Sequence, residues 1–364
     1  MKKTLLTVCS VLLVAVVLTV AGGCKTGEKI QAPKIPTITP ENVHGVMAAD
    51  DNNLWLVGNY GIIFHSSDGG KNWVSQNSGI KTLLVDGVFL DNKTGWVIGI
   101  DGTIIHTTDG GNTWVKQNSG TTKHLFGIAF TDKDYGWVVG EFSTILHTTD
   151  GGNTWAPQQP EADKIYNSVN FVDRQNGFIV GEAGAMVRTT DGGKTWVPVI
   201  PKIFERANIE DEYERPRPSL FCVTFKDALN GWACGNFATI LRTTDGGVNW
   251  DQIATNTEFP YYTIVIKDGK GWCVGDKGAY LTSADGGLTW KYEPLLIKSK
   301  QWFRDVFFTS PSKGWIVGSG GTVIGTEDGG KSWQFHSGLS YDSKAFSFFN
   351  DILAKFEKMM SKDD

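Results

Sequence analysis

Arginine is scarce in this chain, with seven residues scattered through 364, and no long basic segment accompanies a formal charge of −5. That balance excludes a nucleic-acid-binding surface of the usual kind. Helix-forming patterns are almost missing between residues 40 and 340. In their place stand 44 glycines and 12% aromatics, the composition of short strands joined by tight turns. Cysteine is limited to five residues, too few for a disulfide framework. Cys222 and Cys234 flank a turn and fall opposite each other if residues 225 and 231 pair; they are either a cross-strand disulfide or two small core residues. Cys273 sits one position earlier in its strand, faces the other way and is expected to stay free.

Long apolar runs are also few, and the one that matters lies at the start. Met1-Lys2-Lys3 precedes an apolar stretch from Leu5 to Ala21, which meets Gly22-Gly23-Cys24. This is the layout of a secretion signal. The cysteine directly after small residues resembles a bacterial lipoprotein signal, with residues 1–23 removed and Cys24 lipidated. A retained membrane anchor would have no use for the Gly-Gly-Cys ending. Lys25 after the cysteine favours the outer membrane of a Gram-negative cell envelope, with the chain facing the periplasm or the medium. Residues 24–41 carry three prolines and read as an extended tether.

What the chain has in abundance is one octapeptide. Thr107-Thr-Asp-Gly-Gly-Asn-Thr-Trp114 recurs seven times, on Asp68, Asp109, Asp150, Asp191, Asp245, Asp285 and Asp328, at intervals of 41, 41, 41, 54, 40 and 43 residues. A second aromatic column, Trp55, Trp96, Trp137, Phe178, Trp232, Trp272 and Trp315, lies 13 residues before each aspartate. A period near 40 residues with fixed aromatics and a Gly-rich turn predicts a β-propeller. The fold class is therefore all-β: seven four-stranded antiparallel blades over residues 42–337, each complete within its own repeat. Residues 338–364 change character. Phe346, Phe349, Ile352, Leu353, Phe356, Met359 and Met360 recur at spacings of three and four, which predicts a C-terminal amphipathic helix, expected to pack on the propeller.

The seven aspartates read as turn clasps, because copies spread round a ring cannot converge on one substrate. Gly325-Thr-Glu-Asp-Gly-Gly-Lys-Ser332 matches the phosphate-loop pattern. It lacks the following helix, so nucleotide binding is excluded. Three positions before the aspartates stand His65, His106 and His147, then Arg188 and Arg242. Strands in adjacent blades lie about 10 Å apart, too far to share a metal ion, so these side chains are expected to hydrogen-bond between blades. No metal or cofactor is expected.

The aspartate motif resembles the Asp-box (BNR) repeat of sialidases and related propellers. The longer pattern Gly-Trp-x-x-Gly-x-x-Gly-x-Ile-x-x-Thr-x-Asp-Gly-Gly-x-Thr-Trp resembles the photosystem II stability and assembly-factor family. That resemblance implies a non-catalytic propeller that binds membrane-protein partners during assembly. Photosynthetic members carry an arginine-rich patch that this chain lacks, and the C-terminal segment is a further departure.

Opposite the Asp-box hairpins, the longer connections gather Lys123, His124, Tyr166, Phe204, Tyr213, Tyr261, Tyr262, Trp302 and Arg304. Trp302 is the one tryptophan of 14 outside the two repeat columns. An insertion of about 13 residues between Val199 and Leu220 enlarges the same face. Tyr, Trp and Arg there are either anchors for a protein partner or channel lining. Asp101, Glu141, Glu182 and Asp276 on that face support a second reading, a glycan-binding or glycan-cleaving propeller. The sialidase Arg-Ile-Pro element is missing, and the related xyloglucan hydrolases set their cleft between two propellers.

Overall fold

A computed structural model describes residues 41–158, 163–204, 217–293, 295 and 302–335. The lipoprotein signal with Cys24, the tether, Tyr213 in the long insertion and the C-terminal amphipathic segment lie outside the described residues. No helix among the described residues is long and apolar enough to cross a membrane.

The described chain forms seven four-stranded antiparallel sheets, each built from consecutive strands of one repeat. Blade 1 runs through Val43–Ala48, Leu54–Gly58, Ile63–Ser66 and Val74–Gln76. Blade 7 runs through Phe303–Phe308, Gly314–Gly318, Val323–Thr326 and Gln334–Phe335. First strands of successive blades contact one another all the way round, and that of blade 7 meets that of blade 1. They therefore line a central axis. Second strands are buried from their first glycine onward, as in Gly95–Gly99 and Gly136–Gly140, because blades cover both of their faces. The outer fourth strands are short, two or three residues with the first two exposed, which blunts the edge. Among the described residues every blade, blade 7 included, takes its four strands from its own repeat, as the repeat pattern predicts.

Each Asp-box is a self-contained clasp. Thr107 Oγ1 donates to Asp109 Oδ1 at 2.8 Å and accepts from Gly111 N at 2.8 Å. The same Oδ1 accepts from Thr113 N at 2.9 Å, and Oδ2 accepts from Thr113 Oγ1 at 2.7 Å. These bonds hold the carboxyl of Asp109 below its ordinary range, and those of Asp191, Asp285 and Asp328 at about 2. Gly110 and Gly111 have φ of 75° and 85°, the left-handed region that a side chain resists. The phosphate-loop lookalike is the same hairpin in blade 7, with a strand on each side.

The clasps also join blades. The column tryptophan of one blade donates its indole N–H to an Asp-box carbonyl of the next: Trp96 to Gly151 O at 3.0 Å, Trp232 to Gly287 O at 2.9 Å. Trp315 to Gly69 O, at 3.2 Å, closes the ring. Blade 4 carries Phe178, which has no donor; there Arg188 Nη1 reaches Gly246 O at 3.2 Å. The expected inter-blade role thus holds for Arg188 but not for the histidines. His65, His106 and His147 pair across the strand with their own tryptophans and stack on them at 4.5–4.7 Å, leaving Nε2 without a partner. Trp55 in turn stacks on Phe89 of the next blade at 3.6 Å, so the ladder of rings runs through the blade interface.

Candidate partner-binding face

All seven first strands enter from one face, and each has a register shift between its first and third residues. The shift turns the third side chain sideways, toward the next blade. Asp305 Oδ2 accepts from Val46 N at 2.9 Å, across the closing joint. Ser168 Oγ accepts from Val223 N at 3.2 Å, and Thr263 Oγ1 donates to Arg304 O at 3.0 Å. Asp86 takes its own neighbour Gly87 N at 2.7 Å and bonds the backbone of Ile128 in blade 3. Burial, with the mutual repulsion of Asp86 and Asp305, pushes Asp86 up to about 7. Burial pushes Asp305 to about 6. Sequence reasoning missed this belt, although an acid inside an apolar strand (Leu84-Val85-Asp86-Gly-Val-Phe89) was visible.

The second residues of the same strands ring the channel mouth, around a cavity of about 110 Å³. The structure brings Arg304 and Tyr262 together there, while Trp302 packs on the mouth residue His44. The Arg304 guanidinium sits 5.3 Å from the Tyr262 ring centroid, and Tyr262 lies 5.6 Å from Phe221. Trp302 lies 5.5 Å from His44, whose Nε2 meets Asn59 Oδ1 at 3.1 Å. Burial and nearby Arg304 push the His44 imidazole down, keeping it neutral. Two expected contact residues are not on this surface. Tyr166 and Tyr261 are 1% and 0% exposed. They open the first strands of blades 4 and 6, where other blades carry Val43, Leu84 and Leu125, and they fill the core. His124 stands further round the ring: its Nδ1 accepts from Asp101 N at 3.1 Å.

The turns between second and third strands form the outer rim of this face. Their tips have left-handed backbones, and three carry large aromatic side chains: Tyr60, Phe142 and Phe237, with φ of 56°, 50° and 55°. They are 70%, 59% and 64% exposed. Lys123 Nζ lies over the Phe142 ring at 4.0 Å. A bulky residue at positive φ is disfavoured, and an exposed ring gains nothing from folding. The four acids of this face sit one to a turn in separate blades. Glu141 is occupied in capping the connection that enters its own blade, accepting from His124 N at 3.1 Å. The cavity at the mouth is smaller than the ~300–1,000 Å³ of small-molecule sites.

A larger space, about 590 Å³, opens between blades 6 and 7 on the outer side. Its origin is a broken pattern. In blades 1 to 3 a glutamine three residues after the Asp-box tryptophan reaches the next clasp: Gln117 Nε2 donates to Gly151 O at 3.0 Å, and its Oε1 accepts from Trp155 Nε1 at 3.2 Å. At the blade 6 to 7 joint the equivalent residue is Glu293, which pairs with Lys291 at 2.8 Å instead. Tyr280 takes over in part, its hydroxyl donating to Gly330 O at 3.3 Å. No group of three metal-ligating side chains occurs among the described residues.

The family model described as photosynthesis system II assembly factor YCF48 matches the chain in overlapping segments, residues 28–121, 73–156, 112–203, 158–268, 212–299 and 291–357. The chain belongs to this family. A solved structure titled "YCF48 bound to D1 peptide" is 22% identical, with a TM-score of 0.64 over 80% of this chain and 94% of that one. YCF48 from Cyanidioschyzon merolae is 18% identical, with a TM-score of 0.65 over 80% and 98%. The propeller is also similar to the GH74 enzyme of Niastella koreensis, at 14% identity and a TM-score of 0.63, over 81% of this chain and 54% of the enzyme. No curated protein matches the chain by sequence.

Proposed function

We propose that this YCF48-family propeller is a non-catalytic scaffold of the cell envelope. It is tethered through a lipid on Cys24 and binds a segment of a membrane-protein partner on its mouth face. The observation that carries the reading is the pairing of Arg304 with Tyr262 at the channel mouth, with Trp302 beside the mouth residue His44, inside a rim of exposed aromatic tips. Rings beside a guanidinium are the usual anchors of a protein interface, and the tips otherwise carry only cost. A peptide bound to a relative of the same fold supports the same direction.

The test is cross-linking and recovery from membranes of the native host. Trp302→Ala with Arg304→Ala should abolish recovery of a specific protein, whereas Lys71→Ala on the Asp-box face should leave it intact. Equal recovery with both variants would sink the assignment of the face. Palmitate labelling that survives Cys24→Ala would refute Cys24 as the lipidated residue. A glycan-processing role draws support only from the fold shared with the GH74 enzyme; hydrolysis lost in Glu141→Gln or Glu182→Gln would establish it.

A further inference from the structure

Blades 5 and 6 bury three thiols in one place. Phe225 pairs with Gly231, and this register sets Cys222 of the first strand directly opposite Cys234 of the second. Cys234 and Cys273, the latter from the second strand of blade 6, are both fully buried and belong to one core cluster, with Cys222 packed against it. Cys222 and Cys234 share a hydrogen bond, and Cys234 shares another with Cys273. Cys222 is half-buried and lines the cavity at the channel mouth. Its Sγ faces Ile264 O at 3.8 Å, a weak link to the next blade. Of the three cysteines only Cys222 lines the cavity, while Cys234 and Cys273 are sealed in the core.

We propose that Cys222 and Cys234 form a reversible dithiol–disulfide site, oxidised through the channel mouth by a small disulfide-bearing oxidant. Directly opposed residues of an antiparallel pair have Cα atoms about 4.5–5.5 Å apart, within the span that a disulfide bridges. Cys234 and Cys273 belong to different sheets, stacked about 10 Å apart, beyond the ~7 Å limit without backbone movement. Cys273 therefore remains a thiol. Cys222 is the entry point because it alone of the three residues lines the cavity. The Cys222 thiolate attacks one sulfur of the oxidant and expels the other half as a thiol, leaving a mixed disulfide on Cys222. The Cys234 thiolate then attacks Cys222 Sγ and expels the second half. Two electrons pass to the oxidant's sulfurs, and the two protein thiol protons end on the two released thiols. Closure of the bond withdraws Cys222 from Ile264 O, so the change is felt where blade 5 meets blade 6 at the mouth.

Incubating the full chain with bis(2-hydroxyethyl) disulfide, then mapping peptides without reduction, decides the matter. The expected product links the Cys222 and Cys234 peptides and leaves Cys273 free to alkylation after denaturation. Cys234→Ser should instead retain one mercaptoethanol unit on Cys222, because the resolving thiol is gone. Cys222→Ser should leave Cys234 and Cys273 as thiols. Near-ultraviolet circular dichroism shows whether each variant is folded, and wild-type mapping alone still decides if one is not. Three free thiols after the treatment, a lasting adduct on Cys222 in the wild type, or a Cys234–Cys273 link would each overturn the assignment.

Discussion

At the scale of single residues, two kinds of aspartate pull stability in opposite directions with pH. The Asp-box carboxyls are held low by turn hydrogen bonds, so their contribution is present at neutral pH and lost as pH falls through about 2. Asp86 is the reverse. Its carboxyl is raised to about 7 from an ordinary 3.8, so the fold favours the protonated form. What it contributes is complete below pH 3.8 and is lost as pH rises through 7. Full ionisation costs about 4 kcal/mol. Asp86→Asn should therefore raise the urea midpoint at pH 8 more than twice as much as at pH 5, and little below pH 3.8. Equal gains at both values would show that Asp86 ionises freely. The histidines work against this: burial pushes His65, His106 and His147 down, so folding loses stability as pH drops below the ordinary 6.5. The Asn variant isolates the acid from them.

At the scale of the blade, the sequence was legible wherever a residue recurred at fixed phase. The Asp-box, the tryptophan column and the four-strand unit all carry that mark, because each copy makes the same turn and the same inter-blade bond. Phase also warned of blade 4, where Phe178 breaks the column. What it could not show is that Arg188, ten residues on, supplies the missing donor to Gly246 O. Such a substitution depends on side-chain reach across two strands. Arg188→Ala should leave that carbonyl unpaired at a cost of about 1–3 kcal/mol in urea unfolding. Arg188→His with Phe178→Trp, which copies blades 1 to 3, should recover at least half of it. A double variant no better than Arg188→Ala would mean the bond contributes nothing. The same reasoning explains the misplaced tyrosines. Tyr166 and Tyr261 were assigned to a surface from residue type, whereas the first position of the first strand is a core position in every blade. Asp86 and Asp305 were overlooked for a related reason: the register shift beside them breaks the two-residue alternation that strand reading relies on.

At the scale of the whole molecule, the distinctive feature is a ring closed by side chains alone. Six of the seven joints are also held by the chain running from one blade to the next. The seventh, between blades 7 and 1, has no such connection among the described residues. It is held by Trp315 to Gly69 O, by Asp305 to Val46 N, and by Asn42 Oδ1 accepting from Gly320 N at 2.9 Å. The aromatic ladder is weaker there too, since the residue facing Trp315 in blade 1 is Ala48, where blade 2 offers Phe89 to Trp55. A repeat array opens first at the joint with the smallest interface. Amide exchange should therefore be fastest in Val43–Ala48 and Phe303–Phe308, and slowest in blades 3 and 4. Trp315→Phe removes the indole donor but keeps most of the ring. If the joint opens as a unit, this change should speed exchange across both edge blades about tenfold, the effect of roughly 1.4 kcal/mol. Trp96→Phe removes the same bond from an interior joint, where opening one interface does not free a chain end, and should act only on its immediate neighbours. Uniform exchange round the ring, or identical footprints for the two variants, would mean that the closing joint is as strong as the rest.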